Sequence, residues 1–159
     1  MQTPADNIIF VDADACPVRI RDLIARAAHR RGVRAIFVAN KPVLLSQSNF
    51  LSSVQVPATP DAADSYIEEN AKGGDLVVTQ DIPLAALLVP KGIIVIAPRG
   101  TLFTPDNIAD LLSRRDLMSE LRDVGEVTTR TPPLDETAIR KFASAFDAAL
   151  HQLCRRGAK

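Results

Sequence analysis

The sequence has little cysteine and no net charge, and each shortage excludes a class of protein. Its two cysteines, Cys16 and Cys154, are too few for a disulfide framework and are not spaced as a metal knuckle. So few cysteines are typical of a reducing compartment. Because 19 basic residues balance 19 acidic ones, the molecule as a whole does not attract polyanions. Any such partner must be held by a local patch or through a metal ion.

Long apolar runs are also missing, and no leader segment is expected. No run approaches the roughly 18 residues that a membrane span requires. Residues 1–6 lack the basic start and apolar stretch of a signal peptide. We therefore expect a cytoplasmic protein without a membrane partner. The length of 159 residues and the hydrophobic share of 47% suit one folded domain with its own core.

Short apolar runs alternate with helical patterns, which is typical of a parallel sheet covered by helices on both faces. The runs predict strands at residues 8–11, 33–38, 54–56, 76–79 and 93–96. Helices are predicted over residues 18–31, 61–71, 82–88, 104–124 and 135–153. The prediction is a three-layer α/β/α fold with a mostly parallel five-stranded sheet and C-terminal helices.

The chain is predicted to divide near residue 125. Residues 1–125 form the α/β domain, and residues 126–159 supply a linker and a C-terminal helix. Phe142, Ala145, Phe146 and Ala149 give that helix an apolar face. We expect it to pack on the domain or on a partner subunit, so a homodimer is one of the two alternatives.

Aspartates collect at one edge of the predicted sheet. In parallel α/β sheets, ligands bind outside the carboxyl ends of the strands, near the point where strand order reverses. Five aspartates fall at that edge: Asp12 and Asp14 after the first strand, Asp61 and Asp64 at the start of the helix that follows the third, and Asp81 after the fourth. Asp75 precedes the fourth strand, so it belongs to the opposite edge and is excluded from the site.

Several carboxylates that converge without cationic partners repel one another unless a cation neutralises them. Oxygen ligands with few cysteines or histidines favour Mg²⁺ or Mn²⁺ over zinc. The five aspartates therefore predict a site for one of these ions. Asp61 is equally suited to a purely structural role as a helix N-cap, and Asp64 could simply favour the helix dipole.

Other polar residues are expected near the same edge. Thr79 and Asn40 end the fourth and second strands and could orient carboxylates or water. Ser46 and Ser48 lie in the polar loop after the second strand, and Arg99 follows the fifth strand, where it could grip a phosphate. Cys16 is interpreted as a small buried residue. The basic residues of the first helix and the turn after it, which include Arg26 and His29, suggest a solvated face that could also touch a nucleic-acid backbone.

Several motifs together resemble the YaiI/YqxD family of bacterial proteins. They are Val11-Asp12-Ala13-Asp14-Ala15-Cys16-Pro17, Asp61-Ala62-Ala63-Asp64, Thr79-Gln80-Asp81 and Pro98-Arg99-Gly100. The resemblance extends over nearly the whole chain. It departs at residues 128–132 and at Ile139-Arg140, which leaves open any role of the tail in binding substrate or closing a dimer.

The resemblance implies a PIN-like fold, because that family is grouped with PIN-like and NYN-like ribonuclease domains. The acidic positions of such domains correspond here to Asp12, Asp64 and Asp81, with Thr79 two residues before Asp81. Asp14 and Asp61 are additional acids of the family pattern. The leading hypothesis is a Mg²⁺- or Mn²⁺-dependent nuclease that acts on RNA, with Asp12, Asp64 and Asp81 as its core ligands.

Two other functions stay open at this point. The Asp12-Ala13-Asp14 segment after a buried strand also resembles the start of a haloacid-dehalogenase-like phosphatase, although Cys16 stands where that motif has threonine. The third alternative is a non-catalytic module on a nuclease fold that binds RNA or protein.

Overall fold

The computed structural model describes residues 7–123 and 134–157, which form a six-stranded sheet with helices on both faces. The strands are β1 Ile9–Asp12, β2 Ala35–Ala39, β3 Leu51–Gln55, β4 Leu76–Val78, β5 Ile94–Ile96 and β6 Leu102–Phe103. The helices are α1 Val18–Arg31, α2 Ala62–Asn70, α3 Ile82–Leu88, α4 Ile108–Asp123 and α5 Glu136–Gly157. The predicted α/β/α class is confirmed, whereas the predicted boundary and linker near residues 125–133 lie outside the described residues.

Strand β1 lies at the centre of the sheet, in the order β3-β2-β1-β4-β5-β6. The pairs β1–β2, β2–β3, β1–β4 and β4–β5 are all parallel. The chain moves outward from β1 to β3 and then returns to the other side of β1 as β4. Strand order therefore reverses between β1 and β4, which opens a crevice at the carboxyl ends of these two strands.

The sheet has six strands, so the predicted number of five is wrong. Strand β6 runs antiparallel to β5 and pairs Leu102 with Ile96 and Phe103 with Val95. Two residues are too few to produce a recognisable period in the sequence. Strand β3 begins at Leu51, earlier than predicted, because it is a half-exposed edge strand in which Ser52 and Ser53 face solvent.

Alternate residues of the central strands enter two separate cores. Ile9 and Val11 of β1 pack with residues of α1 and α5, whereas Phe10 packs with residues of α2 and α3. Every residue of β1 and β2 is buried, as expected for strands covered on both faces. Helix α1 has the predicted bounds, and Gly32 ends it with a left-handed φ of 67°.

Helix α5 packs on the sheet face that α1 also covers. Phe142 and Phe146 are 0% and 1% exposed, and their stacked rings lie 5.3 Å apart between centroids. The turn between β5 and β6 touches the same helix, because a Cβ added to Gly100 would lie 2.9 Å from the backbone of both Lys141 and Phe142. Helix α5 is thus part of the core of its own chain.

Asp75 holds together the amino edge of the sheet, opposite the predicted site. Its carboxylate is 4% exposed and accepts hydrogen bonds from the backbone N–H groups of Ile8, at 2.9 Å, and Lys72, at 2.8 Å. These bonds fasten the start of β4 beside the start of β1. This structural role explains why Asp75 is buried although it lies away from the carboxyl ends of the strands.

Candidate metal centre

An acidic cavity of about 330 Å³ opens at the carboxyl ends of β1, β2 and β4. Asp12, Asp14, Asp64 and Asp81 line it together with Asn40, and residues 56–60 and Ala63 complete its wall. Within the described parts of the chain, no lysine, arginine or histidine lines this cavity. Four of the five predicted acids therefore meet without a basic side chain to balance them.

Asp12 is the most deeply placed of these acids, at the end of β1. It is 8% exposed, and its Oδ2 accepts a hydrogen bond of 3.2 Å from Oγ1 of the fully buried Thr79. Burial raises the pKa of Asp12, and the charges of Asp14 and Asp81 raise it further, against the opposing effect of the Thr79 hydrogen bond. A negative charge on Asp12 is thus unfavourable unless a cation approaches it.

Asp81 is held by the start of helix α3. Its Oδ1 accepts a hydrogen bond of 2.9 Å from the N–H of Leu84, which makes Asp81 the N-cap of that helix. Its own N–H donates to Oγ1 of Thr79 at 3.1 Å. One buried hydroxyl therefore touches both Asp12 and the backbone of Asp81, which explains the spacing of the Thr79-Gln80-Asp81 motif.

Asp14 reaches the cavity from a tight turn. The extended chain ends at Asp12, because Ala13–Ala15 form a 3₁₀ turn. Asp14 is exposed on that turn, and its Oδ2 accepts a hydrogen bond of 2.7 Å from the N–H of Asn40. Asn40 thereby contributes its backbone as well as a place in the cavity wall.

Asp64 lies half-buried in the first turn of α2, facing Asp81 across the cavity. Burial, a hydrogen bond with the Asp81 carboxyl group, and the charges of Asp81, Asp12 and Asp61 together raise the pKa of Asp64 to about 7. Asp61 is the exposed N-cap residue of α2, yet its side chain makes no capping hydrogen bond. Asp61 does not line the cavity, but its charge acts on Asp64.

Replacing Asp64 by asparagine is expected to stabilise the metal-free protein at pH 8 by about 1 kcal/mol, after allowing for solvent screening of a half-exposed group. The pKa of Asp64 rises on folding from 3.8 to about 7, so its favourable contribution is complete below pH 3.8 and is lost as pH rises through 7. The advantage of Asp64→Asn over the wild type should therefore vanish towards pH 4. Urea unfolding in EDTA at pH 4.5, 6 and 8 measures this difference in the free energy of unfolding.

A matched control for that series is Asp147→Asn, which removes an exposed carboxylate on α5. This variant should follow the pH dependence of the wild type. A difference between Asp64→Asn and the wild type that stays constant from pH 4.5 to pH 8 would contradict the assignment of the raised pKa to Asp64.

The remaining predicted residues lie elsewhere. Ser46 and Ser48 line a second cavity beside α1 and not the acidic one. Arg99 is half-buried in the turn between β5 and β6, and it is not among the residues that line the acidic cavity. Sequence reasoning missed the wall formed by residues 56–60. The two prolines in this segment, Pro57 and Pro60, could have indicated an irregular loop, because proline fits neither a helix interior nor a central strand.

The donor set fits Mg²⁺ or Mn²⁺ chemically, because it offers hard carboxylate oxygens that no basic group neutralises. It is not a preassembled cage: in the described residues, no group of three or more His, Cys, Asp or Glu side chains is arranged to hold a metal ion. Burial and the nearby Asp81 carboxyl group instead raise the pKa of Asp64. A cation bound between the two side chains would neutralise their repulsion.

Cys16 takes no part in this chemistry. It is a free thiol, 6% exposed, and burial raises its pKa to about 12. The thiol is therefore neutral at physiological pH, and neither a nucleophile nor a metal ligand is expected from it. Among the described helices, none is both long enough and apolar enough to cross a bilayer.

The fold and the site together define an α/β protein with an aspartate cluster at the point where strand order reverses. Comparison with known families agrees: the model described as "Uncharacterized BCR, YaiI/YqxD family" matches residues 10–152. The chain belongs to the YaiI/YqxD family, which confirms the resemblance seen in its motifs. No solved structure matches the chain, so the PIN-like grouping stays a prediction.

Three bacterial relatives, each named UPF0178 protein, illustrate how far the similarity extends. The Myxococcus xanthus protein is 49% identical over 147 residues, which are 92% of this chain and 96% of the relative. The Syntrophobacter fumaroxidans protein is 45% identical over 87% of this chain and 91% of its own. The Trichlorobacter lovleyi protein is 44% identical over 95% of this chain and 98% of its own length.

Proposed function

We propose that this protein is a Mg²⁺- or Mn²⁺-dependent nuclease that hydrolyses phosphodiester bonds in RNA at the acidic cavity. The observation that carries the proposal is the meeting of Asp12, Asp64 and Asp81, from three distant parts of the chain, without a basic residue among them. In this proposal these three are the core ligands. Asp14 and Asp61 support them from the rim.

A divalent cation bound there supplies positive charge at the scissile phosphate and lowers the pKa of water, which is what phosphodiester hydrolysis requires. The chain's own residues hold the acids in position. Thr79 orients Asp12 through its hydroxyl, the N–H of Leu84 fixes one oxygen of Asp81, and the N–H of Asn40 fixes one oxygen of Asp14. Positions fixed by packing and backbone contacts favour catalysis because they need little reorganisation.

A haloacid-dehalogenase-like phosphatase is less well supported. That chemistry also uses a lysine near the nucleophilic aspartate, and no lysine among the described residues lines the acidic cavity. Cys16, at the position of the motif's threonine, is buried. Trapping a phosphoaspartate analogue on Asp12 with beryllium fluoride would favour the phosphatase instead.

The test compares wild type with an Asp12→Asn, Asp81→Asn double variant on labelled single-stranded RNA, in Mn²⁺, in Mg²⁺ and in EDTA. Asparagine keeps the shape of both side chains and is itself a good N-cap, so α3 keeps its start. Asp147→Asn serves as the control for loss of a carboxylate. Wild type and control should cleave only with metal, and the double variant should fall to background.

Equal degradation by the wild type and the double variant would attribute the activity to contamination and overturn the proposal. RNA binding that survives the double substitution, without turnover in any metal, would favour the non-catalytic module. The cytoplasmic location and the homodimer considered from the sequence stay predictions, which fractionation of cells and sedimentation of the purified protein address.

A further inference from the structure

A second cavity of about 770 Å³ runs along α1, between that helix and the segment that leads into β3. We call it the arginine groove. One side carries Arg21, Arg26 and His29 of α1, and the other is formed by residues 43–48 and Leu51. Asp22 is the single acid among the described residues that line it. The groove is therefore cationic on a molecule whose total charge is zero.

The arginines of the groove have no acidic partner in the described parts of the chain. The ion pairs found there are Arg19–Glu136, Arg114–Asp110 and Arg115–Asp116, and none involves Arg21 or Arg26. The Nε of Arg21 is buried and has no hydrogen-bond partner in the described structure. A buried donor of this kind is costly. The groove presents two guanidinium groups that form no ion pair within the described residues, and an anionic ligand would balance their charge.

The groove begins beside the acidic cavity. Asn40 lines the cavity and Val43 lines the groove, so the two are joined by three residues, which span at most about 10 Å. A second link runs through the turn after β1, where Asp14 lines the cavity and Val18, four residues later, lines the groove. A strand that fills the groove and leaves it at the Val43 end would therefore have at most about 10 Å to cover to the acidic cavity.

The wall opposite the arginines is largely apolar. It contains Val43, Leu44 and Leu45, and Leu44 is fully exposed. His29 Nδ1 and Ser48 Oγ, 2.7 Å apart, link the wall to α1. From Val18 to His29 the helix measures roughly 17 Å, enough for several stacked nucleotides. Grooves that hold single strands combine a cationic side for phosphates with rings on which bases stack, and His29 is the one such ring among the described residues that line this groove.

We propose that the arginine groove binds single-stranded RNA and leads the strand into the acidic cavity. The inference rests on the proposed function for the fate of the bound strand, but the binding itself needs neither metal nor cleavage. A second copy of the chain is a poorer occupant. A symmetric dimer places the same patch of both copies in contact, so Arg21 and Arg26 would face the like charges of the second copy.

Binding is measured by fluorescence anisotropy with a labelled 12-nucleotide uridine oligomer, in EDTA, using the Asp12→Asn, Asp81→Asn chain so that nothing is cut. Adding Arg21→Gln and Arg26→Gln should weaken binding by at least 10-fold. It should also lower the slope of log affinity against log salt by about 1.4, at about 0.7 for each lost phosphate contact. Arg114→Gln with Arg115→Gln on α4 removes the same charge away from the groove and should change affinity less than 2-fold.

Arg26→Glu alone, an exposed substitution, provides the same test if the Arg21 variant does not fold. Equal losses in the groove and α4 variants, or no binding by the parent chain, would overturn the proposal. So would a dimer in sedimentation that Leu44→Asp dissociates. A thymidine deoxyoligonucleotide of the same length tests whether the groove prefers RNA. Equal affinity for the two oligomers would show that it binds single-stranded DNA as well as RNA. Tight binding that depends on the groove, together with no cleavage by the wild type, would support the binding proposal and contradict the proposed nuclease activity.

Discussion

In the proposed nuclease, asparagine in place of Asp12 alone is expected to lower metal-dependent RNA cleavage on the order of 10²- to 10³-fold, because the proposed ligand would lose its buried charge. Asp12 ends the central strand and is 8% exposed, so the asparagine amide stays in place and the fold survives. Single-turnover cleavage in saturating Mn²⁺ measures the loss. Unchanged cleavage by Asp12→Asn would contradict the assignment of Asp12 as a ligand.

A second substitution separates a ligand from a residue that positions it. Thr79→Val keeps the shape of the side chain and removes the hydroxyl that donates to Asp12, so a 10- to 100-fold loss of activity is expected. Thr79→Ser keeps a hydroxyl and should recover most of it. Because Thr79 acts through Asp12, Thr79→Val combined with Asp12→Asn should be no slower than Asp12→Asn alone. Losses that multiply would show that Thr79 acts independently.

Phe142→Ala is expected to lower the free energy of unfolding by about 3–5 kcal/mol, the usual cost of truncating a fully buried phenylalanine. Phe142 is 0% exposed and stacks on Phe146 within the core shared by α1, α5 and the sheet. That loss is a large share of the 5–15 kcal/mol that stabilises an ordinary domain. Urea unfolding followed by circular dichroism measures it.

Ser144→Ala, an exposed substitution on the same helix, is the matched control and should change stability by less than about 0.5 kcal/mol. If both variants unfolded at the wild-type urea concentration, α5 would have to be an appendage and not part of the core. A two-step unfolding curve in the wild type would lead to the same conclusion.

Elements bounded by strong local signals were predictable from the sequence. Helix α1 has its predicted bounds because Pro17 and Gly32 restrict the backbone at its two ends. The two edge strands were harder. Strand β6 has only two residues, so it was not predicted. Strand β3 was predicted at residues 54–56, but its start at Leu51 was not, because two serines follow that leucine. Both strands depend on pairing with β5 and β2, which is a property of the folded sheet.

The candidate site was predictable as far as strand ends determine it. Asp12 and Asp81 follow neighbouring parallel strands, so their convergence follows from topology. The placement of Ser46 and Ser48 in the arginine groove depends on the path of a loop with no regular structure, which no residue pattern specifies. The raised pKa of Asp64 likewise depends on its burial in the folded chain and on its closeness to Asp81.

The hydrogen bond between Asp12 and Thr79 joins residues 67 positions apart, which has a consequence for the order of folding. Strand β1 finds β2 through a short connection, whereas its pairing with β4 requires the closure of a much longer loop. Contacts so distant in sequence form slowly, and during synthesis β4 emerges from the ribosome only after β1, α1 and β2. A chain in which β4 has not yet paired with β1 therefore lacks Asp81 at the cavity, so in the proposed nuclease any cleavage must await completion of the central sheet.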